Sequence, residues 1–435
     1  MSPSPNALWL VAGHLESANP VEQLHDLRDA LGHGKLGTAG LVEFPQFKTG
    51  TLSSLLTLSE ALAKHDPNVT STLQKTVDTI RSLTADPSGP TATIPHAENR
   101  VSPLSQHLVL DDGRPYLSYL LPEEDTSYQQ SSGSAAAAES DDKWEWNRGK
   151  YRTEDRSLSD IVDALVKEVA SIENAQRNKT QQYQLVKGQL NNALRKKTGN
   201  LSMRSLSDVV SASDFAATNQ SEYLETALVA VPKNLIKEWE SSYERLTQMV
   251  VPRSSTKLAQ DDEYTLYSVT LFRRVKDEFA QKAREKKFIV RDFTYNEEEI
   301  EKQKKDVENL LVEEKEMWAD LLRLSRINFS ELFQVLVHLK VVRAYVESVL
   351  RYGLPAAYFG AVVKPEPKQV DKLTSTLSSF LVPSSKSASK HKKKKPADGG
   401  DGGDSAAFGE YASVMEGEYY EFVLFEIERV EQKGE

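Results

Sequence analysis

The chain has 435 residues, enough for two or three hydrophobic cores at the usual domain size of roughly 100 to 200 residues. Its formal net charge is −10, with 64 carboxylates against 54 Lys and Arg, which argues against nucleic-acid binding because phosphate neutralisation needs a basic face. The chain has no cysteine, so disulfides, thiolate nucleophiles and zinc sites built on cysteine are excluded.

The sequence contains no recognisable signal peptide or membrane span. The N-terminal MSPSPNALWL lacks a basic region followed by a long apolar run. The longest apolar stretch, residues 332–346, is interrupted by Gln334, His338, Lys340 and Arg343, whereas a membrane span needs about 20 apolar residues. We therefore expect a cytoplasmic protein without direct membrane insertion.

The first 121 residues mix strand and helix patterns. Apolar runs bounded by turn residues predict strands, and apolar residues recurring every three or four positions predict helices. The predicted elements are a strand at 7–11, a helix at 20–31, a strand at 40–47, helical segments over 51–83 broken at Asp66-Pro67, and a strand at 115–121. This mixture predicts an α/β layer.

Residues 157–197 carry the clearest single pattern, a helix about 60 Å long at 1.5 Å per residue. Its middle, residues 174–182, is almost wholly polar, as expected where a helix crosses solvent between two cores. We therefore predict that this helix forms a neck that connects two domains.

A shorter α/β block follows this helix, and a second long helix follows the block. The predicted elements are a strand at 227–231, a helix at 233–247, a strand at 264–271, a helix at 273–286, a strand at 288–293, helices at 296–324 and 328–352, and an edge strand at 419–430. The charged helix 296–324 can run antiparallel to the first long helix and return the chain to its N-terminal domain.

Two low-complexity stretches interrupt these elements. Residues 122–142 and about 382–408 are rich in Ser, Ala, Asp, Gly and Lys, and such sequence cannot bury enough apolar area to offset its ordering entropy. We predict that both inserts are disordered. The basic run 392–395 has three interpretations, a nuclear signal, a patch for an acidic partner or a solvated linker, and the Gly- and Asp-rich sequence after it favours the linker.

The predicted fold class is α+β and predominantly helical. We expect an elongated dumbbell in which α/β head and foot domains are joined by a neck of long antiparallel helices. The predicted divisions are foot 1–150, neck helix 151–197, head 198–290, neck return helix 291–325 and foot 326–435.

No motif for catalysis or cofactor binding stands out. Gly32-His33-Gly34-Lys35 lacks the spacing and the following Ser or Thr of a phosphate-binding loop, and neither HExxH nor GxSxG occurs. His338 lies on an apolar helix, which favours a core or interface histidine over a metal ligand. We therefore predict a non-catalytic protein with no catalytic, cofactor-binding or metal-binding residues.

Three dense runs occur in fixed order: MVVPRSS (249–255), KKFIVRDFTYNEEE (286–299) and VESVLRYGLP (346–355). Together they resemble the signature of the C subunit of the vacuolar-type proton-pumping ATPase (V-ATPase), in a fungal-type form. WLVAGHLE (9–16) resembles the opening strand of that family, and KWEWNRGKY (143–151) resembles its junction between foot and neck. The resemblance covers most of the chain and leaves gaps at the two low-complexity stretches.

The resemblance implies a strut in the peripheral stalk of the pump. The implied partners are heterodimers of the E and G subunits at the head, and the cytoplasmic domain of subunit a with another E and G pair at the foot. The H subunit and actin are further candidate partners. Family membership also implies reversible release during pump disassembly, on the cytosolic face of vacuolar or endomembranes. A cytoskeleton-linked scaffold is the alternative function.

Four residues in the first two runs are candidate partner contacts. Arg253 and Ser254 follow the proline of MVVPRSS, where Arg253 is either a partner-binding cation or a residue that shapes the loop. Arg291 and Asp292 alternate with apolar residues in FIVRDF, so a solvent-exposed charge or an ion pair explains them without a partner. The structural interpretation is favoured for the second pair.

Overall fold

The computed structural model describes residues 3–15, 19–85, 102–121, 143–207, 209–215, 221–293, 296–354, 357–382 and 420–430. The strands in this part are β1 (Ala7–His14), β2 (Gly37–Val42), β3 (Lys143–Trp144), β4 (Leu224–Pro232), β5 (Thr256–Gln260), β6 (Tyr264–Phe272), β7 (Ile289–Arg291), β8 (Tyr358–Pro365) and β9 (Val423–Glu428). The α-helices are α1 (Pro20–Ala30), α2 (Leu52–Thr84), α3 (Leu158–Thr198), α4 (Ile236–Ser242), α5 (Lys276–Glu285), α6 (Glu297–Tyr352) and α7 (Val370–Leu381).

The chain divides into two compact units, each with its own sheet. Unit 1 comprises Met1–Ala85, Arg100–Asn178 and Leu321–Glu435, and unit 2 comprises Asp86–Asn99 and Lys179–Asp320. Helices α3 and α6 contribute residues to both units. The chain is therefore a mixed helical and strand protein of the α+β class with two sheets.

Unit 1 is built on a five-stranded sheet in the order β3-β2-β8-β1-β9. Its neighbouring strands pair antiparallel except β2 and β3, which are parallel. One face of the sheet packs in a core with α2, α3 and α6, and the other packs in a core with α1 and α7. The sheet is thus covered by helices on both faces.

Strand β1, which pairs with β8 on one side and β9 on the other, shows why the sequence forms this layer. Successive side chains of a strand point to opposite faces. Leu8 and Leu10 lie in the core with α2, α3 and α6, whereas Trp9 and Val11 lie in the core with α1 and α7. A continuous apolar run is therefore required here, and ALWLV supplies it.

Unit 2 is built on a four-stranded antiparallel sheet in the order β5-β6-β4-β7. One core contains Trp239 of α4 and Phe279 of α5, both fully buried, together with β4 and β6 residues. A smaller core on Leu228 and Leu266 contains residues from 201–215.

Within unit 2, α3 and α6 run antiparallel. The Tyr183 hydroxyl donates a hydrogen bond to Glu314 Oε1 at 3.0 Å, and Lys179 Nζ lies 3.1 Å from Asp320 Oδ2. Leu190 and Leu194 form a small apolar cluster with Leu310 and Leu311 of α6. These hydrogen-bonded, charged and apolar contacts fix how the two helices are aligned along their length.

Several predicted elements are confirmed with small shifts at their ends. These are the strands at 7–11, 227–231, 264–271, 288–293 and 419–430, and the helices at 20–31, 157–197, 233–247 and 273–286, of which the last two are shorter α-helices preceded by 3₁₀ turns. The strand predicted at 40–47 lies earlier in the chain, at Gly37–Val42, and residues 43–47 are not part of it. The predicted inserts 122–142 and 382–408, with the basic run 392–395, lie outside the described residues except for Val382.

Three predictions were wrong. Residues 115–121 do not form a strand; Tyr116–Tyr119 is a 3₁₀ helix, and the buried Tyr116 ring packs on Phe329 and Phe333. The predicted break at Asp66-Pro67 is absent, since α2 continues through Pro67. The two helices predicted at 296–324 and 328–352 are one helix, α6, because core contacts continue through Phe329.

Four elements, β3, β5, β8 and α7, were not predicted from the sequence; β3 has only two residues. Strand β5 is largely exposed and carries weak strand character. Strand β8 is buried on both faces. Helix α7 immediately precedes the second low-complexity stretch, and its Leu373, Leu377 and Leu381 face a core. These leucines recur every four residues, as in a helix, but the neighbouring Ser- and Lys-rich sequence favoured a low-complexity interpretation of the whole segment.

Candidate partner-binding surface

The loop 249–255, which carries MVVPRSS, is fastened to strand β6 by its backbone and by Ser254. The backbone N–H of Val251 donates to Thr270 O at 3.0 Å. The Ser254 hydroxyl donates to Val251 O at 2.6 Å and accepts from the backbone N–H of Thr270 at 3.1 Å. Ser254 therefore has a structural role in this loop.

Arg253 lies at the turn of the same loop with a left-handed backbone, φ 56°. Its backbone N–H donates to Glu244 Oε1 at 2.8 Å, and this hydrogen bond is the main reason that the pKa of Glu244 is lowered. The Arg253 side chain is exposed. The backbone of Arg253 shapes the loop, and its guanidinium is accessible to a partner.

Arg291 and Asp292, which are neighbours in sequence, have different surroundings. The Arg291 guanidinium donates to the carbonyl oxygens of Ser202 and, at 2.7 Å, of Arg204, and partial burial lowers its pKa. It therefore holds the segment 201–206 against the sheet. The Asp292 side chain is 96% exposed and lies 3.7 Å from Lys276 Nζ.

A patch of exposed apolar side chains and arginines lies beside the 249–255 loop. We call it the Tyr223 patch; it consists of Tyr223, Met249, Phe272, Arg273 and Arg274. Together with Glu222 these residues line a cleft of about 480 Å³. The exposed fractions are 72% for Tyr223, 42% for Met249 and 37% for Phe272. This combination of residues is typical of a protein-binding surface.

The described part of unit 1 contains a buried histidine inside an aromatic cage. His338 is fully buried, and its ring lies 4.7 to 5.1 Å from those of Trp144, Trp146 and Tyr151. Burial lowers its pKa to about 4. This arrangement confirms that His338 is a satisfied core residue.

A buried ion cluster joins α2 and α6 in the same unit. Asp66 Oδ1 lies 2.8 Å from Lys340 Nζ, and Asp66 Oδ2 also accepts from Arg343. Burial lowers the pKa of Lys340, while the Asp66 carboxylate opposes that shift. The Arg343 guanidinium lies 4.4 Å from the Phe425 ring centre. These charges pair with one another inside the unit.

Neither a metal site nor a membrane span is present within the described ranges. In that part of the chain no group of three or more His, Asp or Glu side chains is arranged to hold a metal ion. None of its helices combines the length and the apolar character that crossing a membrane requires.

Comparison with known proteins identifies the family. The family model of the V-ATPase C subunit matches residues 8–423. The chain belongs to the V-ATPase C subunit family. The family predicted from the three sequence runs is thereby confirmed, together with an association with proton transport. A fungal-type form stays a prediction.

Curated relatives of this family extend over most of the chain. It is 36% identical to V-type proton ATPase C subunit 1 of Xenopus tropicalis over 345 residues, covering 79% of this chain and 80% of that protein. It is 35% identical to the V-type proton ATPase C subunit of Caenorhabditis briggsae over 351 residues, covering 80% and 81%. With C subunit 1 of Mus musculus it shares 34% identity over 371 residues, covering 85% and 87%.

Structural similarity adds nothing to this assignment. A crystal structure of the cytoplasmic N-terminal domain of subunit I, homologue of subunit a, of V-ATPase aligns with 86% of this chain and 98% of that chain. The TM-score is 0.25 and the identity 13%, so the alignment carries no argument about the fold.

Most of the Tyr223 patch of this member of the V-ATPase C subunit family was not predicted from its sequence. Tyr223, Met249 and Phe272 belong to separate segments that meet through strand pairing. One member of the patch, Met249, does lie in a motif identified from the sequence, because it is the first residue of the run MVVPRSS. Whether Arg253, Ser254, Arg291 and Asp292 contact a partner stays a prediction.

Proposed function

We propose that this chain is a non-catalytic stator subunit in the peripheral stalk of a V-ATPase. It bridges the ATP-hydrolysing sector and the membrane sector, resists rotary torque and controls reversible assembly of the pump. It acts from the cytoplasmic side, peripheral to vacuolar or endomembranes. The observation that carries this proposal is the family match over residues 8–423, which includes strands of both sheets.

The proposed architecture is the dumbbell expected from the sequence. Unit 1 serves as the foot, unit 2 as the head, and helices α3 and α6 as the neck. Two observations support this division: each unit has its own sheet and cores, and both long helices contribute residues to both units. A strut with two ends needs two independent binding domains.

We propose a different set of binding partners for the head and for the foot. The head binds a heterodimer of the E and G subunits, and the foot binds the cytoplasmic domain of subunit a together with another E and G pair. Release during disassembly requires breakable contacts, which suit charged and polar surfaces because their association depends on salt. Asp, Glu, Lys and Arg make up 27% of the chain, close to the usual share of about 25%, so charged side chains are available for such contacts.

The non-catalytic assignment is supported by the contacts of ionisable side chains that are buried or have shifted pKa values. The buried His338 has both ring nitrogens in hydrogen bonds to the backbone. Lys340 is paired with Asp66, and the Tyr151 hydroxyl donates to Glu168 at 2.8 Å. Perturbed pKa values often mark catalytic sites, but each of these has a packing explanation.

The test is co-purification of the full-length tagged chain with co-expressed E and G subunits. We expect the E and G pair to be retained at low salt and progressively released as salt increases. The matched control is the E and G pair passed over the same matrix without the chain. Failure of the full-length chain to retain E and G, or retention of actin filaments instead, would contradict the stator proposal. The relatives reported above are named as pump subunits, which gives the cytoskeletal alternative no support.

A further inference from the structure

The Tyr223 patch of unit 2 gathers exposed apolar side chains in one place. Large exposed apolar side chains elsewhere in the described residues, such as Met203, Leu185 and Val312, do not line its cleft. Tyr223, Met249 and Phe272 line it together. Such clustering distinguishes a binding surface from the scattered apolar residues of an ordinary surface.

The patch is held in place by backbone hydrogen bonds between three segments. The N–H of Phe272 donates to Met249 O at 3.2 Å, and the N–H of Arg273 donates to Tyr223 O at 2.9 Å. Val250 and Leu271 form an isolated β-bridge beside these contacts. A surface fixed in this way loses little conformational entropy when a partner binds.

Met249 occupies an unfavourable backbone conformation. Its φ is 72°, in the left-handed region, which is strained for a residue other than glycine. Such conformations persist where the surrounding structure imposes them, and they cluster at binding sites. Here the imposed conformation leaves a flexible thioether exposed, and methionine adapts readily to a partner surface.

Two arginines add positive charge to this apolar surface. The Arg273 side chain is 62% exposed and lies 3.7 Å from Glu225, whose carboxylate is held more closely by Lys276 at 2.5 Å. Arg274 Nη2 lies 3.0 Å from Met249 Sδ. The cleft lining thus holds two arginines against one carboxylate, Glu222, and this net positive charge beside exposed Tyr and Met favours an acidic partner.

We propose that the Tyr223 patch is the docking site for a partner segment that presents an apolar side chain flanked by carboxylates. The cleft accepts the apolar side chain, and Arg273 and Arg274 pair with the carboxylates. This inference rests on the proposed function, since the E and G pair is the partner expected at the head.

The experiment measures binding of the purified full-length chain to the purified E and G pair, with association and dissociation rates at several salt concentrations. One variant carries Tyr223→Ser with Met249→Gln, and a second carries Arg273→Glu with Arg274→Glu. The matched control is Met203→Ser, since Met203 is 80% exposed in the same unit but does not line the cleft.

We expect the apolar variant to bind at least about tenfold more weakly, mainly through faster dissociation, because truncating a central anchor has effects of this size. The charge-reversal variant should associate more slowly and show a smaller salt dependence. The Met203→Ser variant should bind within about twofold of the wild type. Circular dichroism and thermal melting of each variant establish that it is folded; Tyr223→Ser alone replaces the double variant if Met249→Gln unfolds.

The outcomes separate this inference from the function on which it rests. If the wild-type chain does not bind E and G, the proposed function fails. If the wild type binds and both patch variants bind like Met203→Ser, the stator function stands and the docking site is wrong. If the chain self-associates in sedimentation and the apolar variant becomes monomeric, a second copy occupies the patch, which also overturns the proposal.

Discussion

His338 Nε2 accepts a hydrogen bond from the backbone N–H of Asn147 at 3.2 Å, joining α6 to the segment that follows β3. The other ring nitrogen, Nδ1, lies 2.6 Å from Gln334 O. A carbonyl oxygen only accepts, so Nδ1 carries the proton and donates it, while Nε2 has none. The neutral imidazole therefore satisfies both contacts inside the aromatic cage.

This arrangement predicts a pH-dependent stability. Burial lowers the pKa of His338 from its ordinary value of 6.5 to about 4, so between these values the unfolded state binds a proton that the folded state does not. The free energy of unfolding should be unaffected by this group above pH 6.5. It should fall by up to roughly 1.4 kcal/mol per pH unit as pH decreases from 6.5 towards 4.

The measurement is urea unfolding at several pH values for the wild type and for His338→Gln, which has no titrating ring. We expect the variant to be less stable at about pH 7.5 and to lose less additional stability between about pH 6.5 and 5. Because both proteins share the other titrating groups, the difference between the two curves isolates His338. Parallel curves would show that the ring is not protonated on unfolding in this range.

The Asp66 cluster predicts that deleting one partner of the Asp66–Lys340 ion pair lowers stability more than replacing both partners with apolar residues. Asp66→Ala leaves the buried Lys340 ammonium without its closest carboxylate, and we expect a loss of roughly 3 to 5 kcal/mol in the free energy of unfolding. Asp66→Leu combined with Lys340→Met should lose less, because the buried ammonium is removed with its carboxylate and only Arg343, whose side chain is 26% exposed, loses its partner. Urea unfolding of both variants checks this, and equal losses would contradict it.

Gly40 in β2 predicts a steric effect of a single methyl group. A Cβ at this position would lie too close to the carbonyl oxygen of Leu120, at 2.4 Å, so Gly40→Ala should destabilise the protein by about 1 to 3 kcal/mol. Gly188 in α3 is the matched control, because a Cβ there meets nothing within 4 Å. Gly188→Ala should stabilise by about 0.5 to 1 kcal/mol. Opposite shifts in thermal melting temperature are the expected result.

Arg291 and Asp292 predict different consequences for stability. Arg291→Met removes the donors to Ser202 O and Arg204 O, and we expect a loss of about 1 to 3 kcal/mol in chemical unfolding. Asp292→Asn should change stability by less than about 0.5 kcal/mol, because its side chain is almost fully exposed. If Asp292→Asn nevertheless weakens binding to E and G, its candidate role as a partner contact is supported.

Local sequence pattern predicted the long helix α3, the strand β1 that packs on both faces of its sheet, and the family, because these depend on apolar periodicity and on contiguous motifs. It failed where tertiary contacts overrode local preference. Pro67 breaks an isolated helix, yet α2 continues through it because buried residues on both sides, including Leu62 and Val69, remain in one core. The run 115–121 has strand character, but the Tyr116 ring is accommodated between α6 phenylalanines from a 3₁₀ turn.

For the candidate site, contiguous motifs were enough to indicate the family and to draw attention to the runs containing Arg253 and Arg291. The folded chain was needed to show that Ser254 and Arg291 are engaged in hydrogen bonds within unit 2, and that Tyr223, Met249 and Phe272 meet at one cleft. The physical reason is that this surface is made by the pairing of β4 with β6 and of β6 with the 249–255 loop. Strand pairing brings together residues whose proximity no local spacing records.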